Sequence, residues 1–127
     1  MSVLCVYEDP LFLDRLCRNL EESGDVFVEI SVSVEDALHL MVYVHFDAVV
    51  TDFIAWNDVP DGFLKTVRQQ GSEVPFIYFF GHQQQEPSAT LEEYRGVTVI
   101  SWDSATSAVP FDRLSECIHR IARTGQP

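Results

Sequence analysis

Hydrophobic and polar positions change period repeatedly along this chain, and each change predicts an element. Val3-Leu4-Cys5-Val6-Tyr7 is continuously apolar and runs into Glu8-Asp9-Pro10. An unbroken apolar run of that length, closed by a turn signal, predicts a strand covered on both faces. Asp9 offers a helix N-cap with Pro10 at the first helical position, and Leu13, Leu16, Cys17 and Leu20 then recur at helical spacing as far as Gly24. Val26, Val28, Ile30 and Val32 alternate with Phe27, Glu29 and Ser31, which predicts a second strand. Ser33 to Asp36 opens the next helix as a loose capping box, and Ala37, Met41 and Val44 form its apolar stripe. Phe46-Asp47-Ala48-Val49-Val50-Thr51-Asp52 is a third strand, mostly apolar, with a carboxylate where the apolar run stops.

A loop over 53–61 leads to a helix from Gly62 to Arg68, stopped at Gly71. Val74 to Phe80 is a strongly apolar fourth strand, with Pro75 tolerable at its start. A polar loop over 81–87, a short helix from Ser88 to Tyr94 and a fifth strand from Val97 to Trp102 follow. After a second polar loop, Phe111, Leu114, Cys117, Ile118 and Ile121 mark a final amphipathic helix. Strand and helix thus alternate five times. That alternation predicts an α/β domain, doubly wound, with a five-stranded parallel sheet, right-handed crossovers and helices on both faces. Residues 1–123 are expected to form this domain, with 124–127 a tail or the start of a linker.

Composition narrows the chemistry. The 127 residues are close to one ordinary domain. A net charge of −12 repels phosphate backbones and anionic lipid, so direct nucleic-acid and membrane partners are not expected. No apolar stretch approaches a membrane span and the amino terminus lacks a signal-peptide layout, so the expected compartment is cytoplasmic. Cys5, Cys17 and Cys117 fall on apolar positions without tight spacing, which argues against a disulfide framework or a zinc site. His39, His45, His82 and His119 have no metal-ligand spacing. The first glycine is Gly24, so neither a dinucleotide fingerprint nor a phosphate-binding loop can follow the first strand. No nucleophile elbow is present.

What remains is carboxylates at strand ends. In a parallel sheet the working site lies at the carboxyl ends of the strands, which is where Asp52 falls. If the first and third strands are neighbours, Glu8 and Asp9 converge on it, and a hard divalent cation such as Mg²⁺ relieves the repulsion among them. A carboxylate beside Mg²⁺ can attack a phosphoryl group, because the metal neutralises charge on the transferring oxygens. The competing role for Glu8 and Asp9 is to cap the first helix and favour its dipole.

With these residues in view, the chain resembles a receiver domain of two-component response regulators over nearly its whole length. Residues Val3 to Pro10 resemble the family's first strand and acidic cluster, and Phe46 to Asp52 the strand ending in the phosphoacceptor aspartate. Asp61-Gly62 resembles the opening of the third helix, Val74-Pro75-Phe76-Ile77 the fourth strand, and Pro110-Phe111-Asp112 the lead into the last helix. The resemblance implies the flavodoxin-like strand order 2-1-3-4-5. It implies Asp52 as phosphoacceptor, and Mg²⁺ held by Glu8, Asp9, Asp52 and the backbone carbonyl of Ile54. It further implies a histidine kinase or phosphotransfer protein as donor, and an output domain or downstream protein reached through the short fourth helix, the fifth strand and the last helix. Dimerisation through the last helix is open, and no enzyme activity is expected beyond a receiver's own phosphoryl transfer and dephosphorylation.

The chain also departs from that pattern. The first member of the acidic pair falls on Tyr7, the hydroxyl residue ending the fourth strand falls on Phe80, and the lysine after the fifth strand falls near Trp102 or Val109. Lys65 is the sole lysine and lies on the third helix, so no realignment supplies one. Phe80 and Trp102 are expected to fill the vacated corner with aromatic surface, with Ser101 and His82 as the nearest polar substitutes. The second reading is therefore a degenerate pseudo-receiver, the same fold used as a non-phosphorylated interaction module. A Mg²⁺-dependent phosphatase of related topology needs an aspartate two residues after Asp52, where this chain has Ile54.

Overall fold

The computed structural model describes residues 1–52, 62–82, 95–105 and 108–124. Five strands run in parallel: β1 (Ser2–Val6), β2 (Phe27–Ser31), β3 (Ala48–Thr51), β4 (Phe76–His82) and β5 (Val97–Asp103). Their order across the sheet is β2-β1-β3-β4-β5. The described helices are α1 (Pro10–Glu21), α2 (Val34–Tyr43), α3 (Gly62–Gln69) and α4 (Phe111–Thr124). The chain is thus a doubly wound flavodoxin-like sheet, as the alternation of elements predicts. The expected short helix over 88–94 lies outside the described residues, as do the loop over 53–61 and Ile54 within it.

Strand periodicity divides the core in two. Val3, Cys5 and Tyr7 of the first strand region, Ala48 and Val50 of β3, and Ile77 and Phe79 of β4 face one side. There they pack against Leu13, Leu16 and Leu20 of α1 and Leu114, Cys117 and Ile118 of α4. Leu4, Val6, Val49, Phe76 and Tyr78 face the other side, against Val34 and Ala37 of α2 and Phe63, Leu64 and Val67 of α3. Each fully buried Leu, Phe or Val stabilises the fold by roughly 1.5–3 kcal/mol through area removed from water. This double coverage is why β1, β3 and β4 are written as continuous apolar runs.

Several local expectations shift. Strand β2 lies at the sheet's edge, so its alternation does not give one buried face: Val26 is buried, but Ile30 and Val32 are each half-exposed and Ser31 is buried instead. Ser31 is accommodated because its hydroxyl donates to the Ser33 carbonyl at 2.9 Å. Helix α2 ends at Tyr43, where Val44 turns extended and donates its N–H to the Leu40 carbonyl, so Val44 leaves the apolar stripe for solvent. Cys17 is only partly buried, beside Glu21 at 3.1 Å, whereas Cys5 and Cys117 are core residues. Helix α4 continues through Thr124, one residue into the segment set aside as a tail.

Candidate functional site

The site is built where β1 and β3 end side by side. Val6 pairs with Thr51, so the next residues on each strand, Tyr7 and Asp52, leave the sheet at the same level, with Glu8 one step further out. The Thr51 hydroxyl donates to the Val6 carbonyl at 3.0 Å, pinning the two strand ends together inside the core. Asp52 stands exposed at the rim of a crevice of about 690 Å³. Tyr7, Phe79 and Trp102 line it, together with Asp9, Phe12 and Arg15 of the α1 region.

Crowding by these walls desolvates the Asp52 carboxylate and pushes its pKa from 3.8 up to about 6. Backbone hydrogen bonding opposes that rise, and the charge of Glu8 adds to it. The two acidic residues thus lie at neighbouring strand ends, near enough for the charge of Glu8 to act on Asp52. Asp9 is differently employed: it is the N-cap of α1, its Oδ1 accepting the Leu11 N–H at 3.0 Å. That bond satisfies one of the helix's orphan donors, which is what an N-cap aspartate contributes. Glu8 is exposed and outside the helix. Among the described residues no cluster of three His, Cys, Asp or Glu side chains is assembled to hold a metal. Carboxylates at two neighbouring strand ends nevertheless suit Mg²⁺, which keeps several waters and is commonly held by one or two carboxylates together with phosphate oxygens.

Tyr7 does what its place in the sequence does not announce. Its side chain is buried, and its hydroxyl donates to the Phe79 carbonyl at 2.5 Å. Because β3 lies between β1 and β4, this bond spans the carboxyl end of β3, and the tyrosine ring floors the crevice beside Asp52. Phe12 stacks on it at 4.8 Å between ring centroids. Phe79 meets Trp102 at 4.6 Å and Phe111 at 6.0 Å. Five aromatic rings thus form one wall, tilted or edge-on to one another in the geometry their quadrupoles favour.

Phe80 and Trp102, the two expected replacements, divide. Trp102 folds over the neighbouring strand into the crevice, whereas Phe80 borders the crevice but packs mainly on the α2–α3 side of the sheet. Strand alternation is the reason: the ring that meets Trp102 belongs to Phe79, one residue earlier. Gly81, paired with Trp102 in register, makes room for the indole, since a Cβ there would stand 2.9 Å from Trp102 Nε1. Phe79, Gly81 and Arg15 carry no motif, and only the register of β4 on β5 and the packing of α1 reveal them. Ser101 is partly buried on β5.

No family model matches this sequence, and no curated protein matches it. Solved structures do match by shape. The receiver domain of the Francisella response regulator 1452 superposes with a TM-score of 0.73 at 17% identity, over 98% of both chains. Response regulator TrrA from Thermotoga maritima, in complex with Mg(2+)-BeF, gives 0.71 at 16% identity, over 94% of this chain and 97% of that one. The N-terminal domain of a response regulator/sensory box/GGDEF three-domain protein from Carboxydothermus hydrogenoformans gives 0.64 at 21%, over 97% and 94%. Strand order and helix placement agree with these matches: the chain has the fold of the response-regulator receiver domains.

Proposed function

We propose that this protein is an atypical receiver in a two-component phosphorelay, with Asp52 as the phosphoacceptor. The observation that carries the reading is the pairing of Val6 with Thr51, which sets Asp52 and Glu8 together at the carboxyl edge of a receiver-fold sheet. In the proposed step a carboxylate oxygen of Asp52 attacks phosphorus of a phosphohistidine on the donor protein. The phosphorus–nitrogen bond breaks, and its electron pair leaves on the imidazole nitrogen, which takes up a proton. Glu8 and Asp52 would hold Mg²⁺, with Asp9 as an auxiliary group and the Ile54 carbonyl as a further candidate. Bound there, the metal supplies charge neutralisation for the transferring oxygens. Its positive charge also offsets the repulsion between Glu8 and Asp52, so metal binding and ionisation of Asp52 favour one another.

The donor in this reading is a histidine kinase or phosphotransfer protein in the cytoplasm. The receiver passes its state on by protein contacts, either to a downstream protein or to an output domain of the kind named for the three-domain relative. The test is intact mass and NMR after incubation with Mg²⁺ and a small phosphodonor or beryllofluoride. The expected result is a phosphoryl adduct in the wild type that Asp52→Asn abolishes. A wild-type spectrum indifferent to both reagents would reject the reading and leave the chain a non-phosphorylated interaction module.

A further inference from the structure

We infer that Arg15, on the second turn of α1, supplies the positive charge that a phosphoryl group on Asp52 requires, in the place where receivers bring a lysine from the fifth strand. The inference rests on the phosphoacceptor reading above and extends it to the anion's partner. A phosphoryl group arriving here enters a chain of net charge −12, beside Glu8 and Asp9, with no lysine within the crevice. Electrostatic stabilisation of the incoming oxygens must then come from the metal and from some other cation.

The placement of the cations narrows the choice. Lys65 is exposed on α3, a helix on the far face of the sheet from α1. Arg18 is paired with Asp14 at 3.2 Å, one turn further down α1. Arg68 donates to the Ser72 and Arg95 carbonyls and is held at the opposite edge of the sheet. Arg113 and Arg120 lie exposed on α4. Among the described residues, Arg15 is the cation that lines the same crevice as Asp52. Its guanidinium rests over the Phe111 ring at 5.4 Å from the centroid, and among the described residues no carboxylate is paired with it. An exposed arginine so placed gives up little on moving, since a surface cation–π contact is worth only about 0.5–1 kcal/mol. Its planar fork matches two phosphoryl oxygens at once. Moving off Phe111, the first residue of α4, would also report the modification to that helix, replacing the hydroxyl switch that Phe80 cannot provide.

The test uses the full chain with Mg²⁺ and beryllofluoride, read by ¹⁹F NMR and by the Arg15 Nε–H resonance. In the wild type the adduct should shift that resonance. Arg15→Gln should weaken beryllofluoride binding about tenfold or more, and Arg15→Lys should recover part of the loss. Arg18→Gln should match the wild type. Binding of Mg²⁺ alone should be unchanged or tighter in Arg15→Gln, because a cation has been removed, whereas a variant that merely deforms the site would weaken it. A wild-type adduct with undiminished affinity in Arg15→Gln overturns this inference and leaves Asp52 as acceptor. A wild type that forms no adduct overturns both.

Discussion

The two halves of the crevice are built on different terms. On the β1–β3 side, Glu8 and Asp52 follow neighbouring strand ends, and Asp9 seats the adjoining helix. On the β4–β5 side, where a receiver would place a hydroxyl and a lysine, the chain has Phe79, Phe80, Gly81 and Trp102. The first half is acidic, and it is there that the proposed phosphoacceptor Asp52 stands. The second is a packed aromatic wall. Tyr7 joins the halves, rooted in β1 and hydrogen-bonded to β4. The contrast teaches that the two halves of one rim can differ in chemistry within a single fold, because they are carried by different strands.

The largest effect should come from the wall itself. Phe79 is fully buried and touches Phe12, Trp102 and Phe111, so Phe79→Ala should cost about 3–5 kcal/mol in urea unfolding while leaving Glu8 and Asp52 in place. If the wall were loosely assembled, the loss would fall well below that. Gly81→Ala drives a Cβ against the Trp102 indole and the Ser104 Cβ, and should cost about 1–3 kcal/mol with a shift in tryptophan fluorescence. An unchanged spectrum would place the indole elsewhere. Tyr7→Phe removes the bond between the halves and leaves a buried carbonyl short of its donor, an expected loss of about 1–3 kcal/mol by thermal or urea melts.

The smallest effect probes the acidic half and depends on pH. The Asp52 carboxyl is raised from 3.8 to about 6 in the folded protein, so the native state holds a proton there that the unfolded chain has already released. Stability from this group is therefore present below the unfolded value and is lost as pH rises through about 6. Asp52→Asn should remove that slope between pH 4 and 6 and stabilise the protein slightly above it, by about 1 kcal/mol once solvent screening at the exposed rim is allowed for. Urea melts across that range would show it. A slope that survives in Asp52→Asn would assign it to another carboxylate. Mg²⁺ should flatten the wild-type slope by favouring the ionised form.

Much of this architecture was legible in the order of residues. Continuous apolar runs specified strands covered on both faces, 3.6-residue recurrence specified α1 and α4, and Asp9-Pro10 and Ser33 specified where helices begin. Asp52 was legible for the same reason: a carboxylate closing the central apolar run of a parallel sheet must stand at its carboxyl edge. Those signals are local, set by backbone geometry within a few residues.

Tertiary structure decided the rest, because it depends on residues brought together from distant parts of the chain. Ile30 and Val32 look inward by alternation, yet β2 is an edge strand and leaves them half-exposed. That Phe79 rather than Phe80 meets Trp102 follows from the pleat and the β4–β5 register, and the same register makes Gly81 necessary. The reach of Tyr7 across β3 to the Phe79 carbonyl joins positions 72 residues apart. So the sequence by itself determined the elements and the carboxylate at the sheet's edge, since periodicity and capping act along the chain. Only the assembled sheet decided which side chains enclose that carboxylate, since their contacts act across it.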